Sequence, residues 1–149
     1  MTESTEQERQ LPLVLRAAYM ALHRRTEAKF SSFGVTADQF VLMLALNDGH
    51  TLTQRELADR ISSDPSTVRA MLVLLEKNGL IQRVPHPTDS RARSVELTNN
   101  GKQKLRQLWK VGQSIRDAMY GSMTRKEAEM LIRLLRKIPV SLSTEKTFA

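Results

Sequence analysis

One short run, residues 63–69, constrains the fold of this chain more than any other part of its 149 residues. Asp64 is a residue type that accepts hydrogen bonds from the free backbone N–H groups at a helix start, and Pro65 suits the first helical position. Apolar side chains then recur at helical spacing, namely Val68, Met71, Leu72 and Leu75. The run therefore predicts a helix that begins at Pro65 and buries this face.

The opposite face of the same helix is small and polar at its N-terminal end. On a helical wheel it carries Ser66, Ala70, Val73 and Lys77, with Thr67 and Arg69 on its flanks. Because no large side chain blocks close approach there, this face fits the major groove of DNA. An ordinary solvent-exposed helix is the alternative that these residues alone leave open.

The segment before this helix predicts a partner helix. Thr53 and Glu56 have the spacing of a capping box, and an inner face follows with Leu57, Ala58 and Ile61. Only Ser62 and Ser63 separate the two helices, and such a tight polar connection is typical of a helix-turn-helix unit.

The segment after the helix predicts a β-hairpin. Gly79 supplies a helix end, and residues 80–84 and 94–97 have the composition of two short strands. The loop between them contains two prolines and cannot extend the sheet, so it projects as a tip that carries His86, Arg91 and Arg93. A helix-turn-helix followed at once by a basic hairpin is the winged helix-turn-helix arrangement.

Helices flank this central part on both sides. The pattern predicts one helix over residues 11–32 that ends at Gly34, and a second that is capped by Thr36 and Gln39 and buried through residues 40–46. Thr98 starts a third helix whose apolar or small positions form a seam across Gly112. A last helix starts at Thr124 and is expected to stop at Pro139, with residues 140–149 as a loose tail. The expected fold is mainly α with a small β-wing.

Composition and charge narrow the classes of function. The chain has no cysteine, which excludes disulfides and thiolate chemistry. The net charge of +7 is concentrated in residues 99–149, which hold eleven Lys/Arg and four Asp/Glu, so it gives the central segment little support as a DNA reader. No apolar run is long enough to span a membrane, and residues 1–8 lack a signal-peptide core, so a cytoplasmic location is expected.

Nothing in the sequence favours an enzyme. The three histidines lie in separate predicted elements, with no carboxylate at metal-ligand spacing, and neither a phosphate-binding glycine loop nor a nucleophile motif is present. No catalytic residue, metal or cofactor is expected.

With these motifs identified, the chain resembles the MarR (multiple antibiotic resistance regulator) family of bacterial transcription regulators over about residues 11–138. Its most specific marker is Asp89-Ser90-Arg91 followed by Leu97-Thr98 in the wing, and residues 57–58, 66–69 and 75–81 support it in order and spacing. The resemblance implies a single domain over 1–149, with a DNA-binding part at 35–98 (wing about 80–97) and homodimerisation helices at 1–34 and 99–149. Similar proteins bind pseudo-palindromic operator DNA, mostly as repressors, and many release it when a small aromatic or phenolic ligand binds.

The predicted DNA contacts fall into two groups. The recognition-helix group is Ser63, Pro65, Ser66, Thr67 and Arg69, in which Arg69 can bond guanine through two N–H groups. The flank and wing group is Gln54, His86, Asp89, Arg91 and Arg93. By the resemblance, Arg91 enters the minor groove and Asp89 orients it, although the pair could instead only shape the hairpin.

A possible effector pocket and a rival function complete the predictions. The pocket residues are Tyr19, Met20, His23, Phe30, Phe40 and Met43, for which an ordinary place in the core is the alternative. The rival function is a winged-helix module that binds another protein through Ala70 and Val73. Steep weakening of binding by salt would favour DNA over such a module.

Overall fold

The computed structural model describes residues 3–89 and 91–144. Its elements follow in this order: α1 (Glu3–Phe30), a 3₁₀ turn (Ser31–Phe33), α2 (Ala37–Gly49), β1 (Leu52–Thr53), α3 (Gln54–Arg60), α4 (Pro65–Lys77), β2 (Ile81–Pro85), β3 (Arg93–Leu97), α5 (Asn99–Val111), α6 (Gln113–Gly121) and α7 (Arg125–Thr144). Two compact units divide after Gly112. None of the helices in the described ranges is long and apolar enough to cross a membrane.

The predicted caps are confirmed. Thr36 and Gln39 form a capping box at the start of α2, and Thr53 and Glu56 form another at the start of α3. At the start of α7, the Thr124 hydroxyl accepts a hydrogen bond from the Glu127 backbone N–H, and the Glu127 carboxylate accepts one from the N–H of Thr124. Each box satisfies backbone donors that the first helical turn leaves free, and so fixes where its helix begins.

The first unit has one apolar core beneath the helix-turn-helix. Helices α2 and α5 pack on each other, and both contribute fully buried side chains. The core residues are Phe30, Val35, Leu42, Met43, Leu46, Leu52, Leu57, Ala58, Val68, Leu72, Leu75, Ile81, Val95, Leu97, Leu105 and Leu108. The predicted inner faces of α3 and α4 are confirmed, because Leu57, Val68, Leu72 and Leu75 are completely buried.

The sheet has three antiparallel strands in the order β1-β3-β2. In the β2–β3 hairpin, Ile81 pairs with Leu97, and Pro85 pairs with Arg93. Strand β1, which the sequence did not reveal, pairs Leu52 with Val95. This third strand attaches the wing to the segment just before α3, so the hairpin does not stand alone.

Three predicted boundaries are wrong. Helix α1 begins at Glu3 rather than at about residue 11, and it continues through Pro12. The helix that follows Thr98 ends at Val111, and Gly112 separates it from α6. Helix α7 continues through Pro139 to Thr144, so residues 140–144 are not a loose tail. The rest of that predicted tail, residues 145–149, lies outside the described residues.

Candidate nucleic-acid interface

The turn between α3 and α4 is held by backbone and side-chain hydrogen bonds. The N–H of Ser63 donates to the carbonyl of Ala58 at 2.9 Å, and Ser62 adopts a left-handed conformation with φ 53°. The Gln54 side-chain amide donates to the carbonyl of Pro65 at 3.3 Å. Gln54, a predicted DNA contact, therefore also braces one helix of the helix-turn-helix against the other.

Asp64 caps α4 with both of its carboxylate oxygens. One oxygen accepts the backbone N–H of Thr67 at 2.8 Å, and the other accepts the hydroxyl of Thr67 at 2.7 Å. These two hydrogen bonds, with the hydroxyl making the larger contribution, lower the pKa of Asp64 below its ordinary value. Because its hydroxyl hydrogen is used in the cap, Thr67 is left to act as an acceptor toward DNA.

The face of α4 predicted to meet DNA is free of neighbouring side chains. Pro65, Ser66, Thr67 and Arg69 are exposed, whereas Ser63 is half-buried in the turn. Within the described ranges, the side chain of Arg69 has no hydrogen bond and no ion pair. The capped turn thus presents one unpaired cation and the Ser66 hydroxyl to solvent.

The cap gives a pH-dependent prediction. A folded-state pKa below the unfolded value means that Asp64 stabilises the fold above the ordinary aspartate range and loses this effect as the pH falls through its lowered value. We expect Asp64→Asn to lower the melting temperature by a few degrees near pH 7, and the difference from the unmodified protein to close in acid. Circular dichroism melts over a pH series measure this. Asp59→Asn is the control: it makes the same chemical change on the exposed face of α3, where the side chain caps no helix, and should lower the melting temperature far less near pH 7.

The tip of the wing is ordered by local hydrogen bonds. The ring nitrogen Nδ1 of His86 accepts the backbone N–H of Thr88 at 3.1 Å and that of Asp89 at 2.9 Å. The Asp89 carboxylate accepts the backbone N–H of Arg91 at 3.0 Å, and its contact with the Arg91 guanidinium is longer, at 3.8 Å. Asp89 therefore fixes the backbone at Arg91 more firmly than it fixes the guanidinium.

The cations of the wing point into solvent. The side chain of Arg91 is 93% exposed, and Arg93 is exposed at the start of β3. At the base of the hairpin, Arg83 pairs with Glu76 of α4 at 3.5 Å, a contact that the sequence analysis missed. The wing is thus tied to the recognition helix through Arg83, while its tip carries solvent-exposed positive charge.

The structure places the six predicted effector residues in different surroundings. Phe30 and Met43 are completely buried in the core, and Phe40 packs edge-to-face on Phe30 with 4.9 Å between ring centroids. Tyr19, by contrast, is exposed on α1, with its ring 5.8 Å from that of His23. An open groove of about 770 Å³ bordered by the 3₁₀ turn, the end of α4 and α5 contains none of the six.

Comparison with known proteins agrees with this geometry. Residues 35–92, from α2 to the wing, match the MarR family. MarR of Escherichia coli (strain K12) is 30% identical over 109 residues, which are 72% of this chain and 76% of that protein. The transcriptional repressor YetL of Bacillus subtilis (strain 168) is 30% identical over 122 residues, 80% of this chain and 73% of that protein.

Solved structures extend the similarity beyond the central segment. A mutant MarR from E. coli complexed with operator DNA is 25% identical, with a TM-score of 0.77 over 92% of this chain and 99% of that one. BpsR of Bordetella bronchiseptica, whose DNA binding is regulated by 6-hydroxynicotinic acid, is 25% identical, with a TM-score of 0.75 over 86% and 91%. The expected fold, mainly helical with a winged helix-turn-helix, is confirmed, and the chain belongs to the MarR family of DNA-binding transcription regulators.

Proposed function

We propose that this protein is a homodimeric repressor that binds a pseudo-palindromic DNA operator through α4 and the wing. The observation that carries the proposal is that one DNA-binding part exposes two arginines: Arg69 beside the capped start of α4, and Arg91 at the tip of the hairpin, where its 93% exposed side chain lies 3.8 Å from the Asp89 carboxylate. The operator complex of a MarR mutant and the repressor name of YetL support it. A dimer that docks both copies of α4 on one side of the duplex separates its half-sites by about 34 Å.

Each side chain has a role in this proposal. Ser66, Thr67 and Arg69 contact base edges in the major groove, and Arg91 enters the adjacent minor groove. Arg93 and Gln54 contact phosphates, where the N-terminus of α3 adds the positive end of its helix dipole to Gln54. Ser63 and Pro65 lie at the entrance of α4 and allow close approach of the sugar-phosphate backbone.

Control by a small aromatic acid is part of the proposal, and BpsR supports it by analogy. Because Phe30, Phe40 and Met43 pack in or against the core, the surface open to a ligand on α1 is that of Tyr19, Met20 and His23. A panel of hydroxylated aromatic acids, titrated into the protein–operator complex, tests this control. If no member changes operator affinity, this class of ligand is excluded.

Replacing Arg69 tests sequence readout. We expect Arg69→Ala to weaken binding to the preferred duplex by about 10- to 100-fold, because a bidentate arginine–guanine contact discriminates by about 1–3 kcal/mol. Binding to a scrambled duplex should change far less. Fluorescence anisotropy with a duplex selected from a random pool measures both affinities.

The matched control for Arg69 is Arg125→Ala. This substitution also removes one cation, from a 93% exposed side chain at the start of α7 that pairs with Glu129 at 3.4 Å. It should leave both affinities nearly unchanged. Equal losses on the preferred and scrambled duplexes for Arg69→Ala would instead assign Arg69 to phosphate contact.

Salt dependence separates DNA binding from the rival protein-binding function. Contacts with phosphates release counterions, so the logarithm of the association constant should fall linearly and steeply with the logarithm of salt concentration. If the protein binds no duplex at low ionic strength, the proposed function is wrong.

A further inference from the structure

The imidazole of His86 accepts hydrogen bonds from the backbone of the wing tip, a role that Asn and Asp side chains more often have in turns. Its Nδ1 accepts two successive backbone N–H groups, those of Thr88 and Asp89, and lies 3.3 Å from the Thr88 hydroxyl. The backbone of His86 itself donates to the carbonyl of Ala92, on the return side of the loop. His86 is thus the residue around which the wing tip folds.

This geometry requires one protonation state. A nitrogen that accepts hydrogen bonds carries no proton, so the ring proton must be on Nε2 and the imidazole must be neutral. In the imidazolium form, a proton on Nδ1 would face two N–H donors, and both hydrogen bonds would be lost. The tip would then have to rearrange.

The hydrogen bonds lost on protonation of His86 also support the backbone position of Arg91, the arginine proposed to contact DNA. The N–H of Asp89 bonds to His86, and the carboxylate of Asp89 in turn holds the backbone of Arg91. Among the described residues, the charged groups near this part of the tip include this carboxylate, the Arg91 guanidinium paired with it and, from α3, the carboxylate of Glu56, which interacts electrostatically with His86. Releasing the ring therefore frees the segment that positions Arg91.

We propose that His86 is a positioning residue that holds the wing ready for DNA only while its Nδ1 is unprotonated, so that acidification weakens operator binding. This inference rests on the proposed function for its effect on DNA, but the arrangement of the tip can be tested without DNA. It assigns His86 no contact with the duplex, in place of the wing contact expected from the sequence.

Asparagine at position 86 provides the decisive variant. The side-chain oxygen of asparagine occupies the same δ position as the accepting ring nitrogen, and it commonly accepts N–H groups two residues further along the chain. His86→Asn therefore keeps the acceptor but removes the titration. His86→Ala removes both.

The first measurement uses the free protein. In ¹⁵N spectra at neutral pH, the ring should show the tautomer protonated on Nε2. On acidification, the amide signals of Thr88 and Asp89 should move with the same midpoint as the ring signals. A ring that titrates without moving these amides would overturn the proposal.

The second measurement is operator affinity. The unmodified protein should lose about tenfold in affinity between about pH 7.5 and about pH 5.5, and His86→Ala should show a similar loss already at neutral pH. His86→Asn should bind normally at both pH values. Since that variant retains His23 and His50, any pH dependence that it shows measures the contribution of those two histidines.

The outcomes separate the two hypotheses. A scrambled duplex should show no comparable loss in acid, because the added positive charge favours phosphate contact. An asparagine variant as weak as the alanine variant at neutral pH would overturn the role of His86. If no duplex binds at any pH, the proposed function fails, and the spectra of the free protein still decide how the tip is held.

Discussion

Gly101→Ala should destabilise the first unit by about 3 kcal/mol or more, since a methyl group inserted into a closed contact forces backbone displacement. A Cβ atom at Gly101 would lie 2.0 Å from the carbonyl oxygen of Leu80. That oxygen cannot turn away without cost, because it accepts the backbone N–H of Thr98 at 3.1 Å. Helix α5 would have to withdraw from the base of the wing. Urea unfolding followed by circular dichroism measures the loss.

The contact at Gly101 belongs to a small group of hydrogen-bonded contacts that join the end of α4, the wing and α5. The Thr98 hydroxyl donates to the carbonyl of Gly79 at 2.6 Å and accepts the N–H of Gly101 at 3.0 Å. Moving α5 breaks these bonds together, so the effect should exceed that of a simple steric overlap.

Gly121→Ala is the matched control. It is the same chemical change at a helix position where an added Cβ has no atom within 4 Å. Its stability should stay the same or rise by up to about 1 kcal/mol, from the better helix propensity of alanine. If Gly101→Ala unfolds at the same urea concentration as this control, the close approach of α5 and Leu80 is wrong.

The parts of the fold that the sequence predicted correctly depend on neighbours in the chain. A capping box is made by residues three positions apart, as in Thr36 and Gln39, and the Asp64-Pro65 start of α4 uses contacts within one turn. The buried face of α4 follows from helical periodicity, so Val68 and Leu72 could be assigned to the core without knowledge of what covers them.

The errors concern features that distant parts of the chain decide. Strand β1 has two residues, and it exists because Val95 and Ser94 pair with it from more than forty residues away. Pro139 removes one backbone donor but does not end α7, because a helix can continue past a proline at the cost of one hydrogen bond. At Gly112 the sequence predicted a continuous helical seam, but the helix is divided there into two separate elements.

The candidate nucleic-acid interface shows the same contrast between features that a periodic sequence pattern predicts and features that it does not. Helical spacing sufficed to place Ser66 and Arg69 on the open face of α4. It could not reveal that Gln54 bonds to Pro65, or that His86 faces the backbone of its own loop, since both depend on loop conformations with no periodic pattern. Residue type suggested a DNA contact for His86, and the structure adds that its ring nitrogen accepts two backbone N–H groups.

Disruption of the proposed dimer is the second change for which we expect a large effect, here on the dimer dissociation constant and on DNA affinity. Each unit carries an exposed apolar helix face, with Leu11 and Val14 on α1 and Leu131, Leu134 and Leu135 on α7, each at least 40% exposed. Contiguous apolar surface of this kind marks an interface. We expect the unmodified protein to sediment at twice its 16.9 kDa chain mass. Leu131→Asp combined with Leu135→Asp should raise the dimer dissociation constant by at least about 100-fold, because burying unpaired carboxylates is costly.

Loss of the dimer should carry over to DNA, because two linked DNA-binding parts gain affinity from binding one duplex together, and a monomer keeps a single half-site. Val73→Asp is the control for the measurement of molecular mass. It introduces the same charge at a 53% exposed apolar position of α4, outside the apolar faces of α1 and α7. Sedimentation equilibrium should give a monomer for the double variant and a dimer for the control. An unmodified protein that is monomeric, or a double variant that remains dimeric, would show that the α7 face is not the interface and would remove the symmetric reading of a palindrome from the proposal.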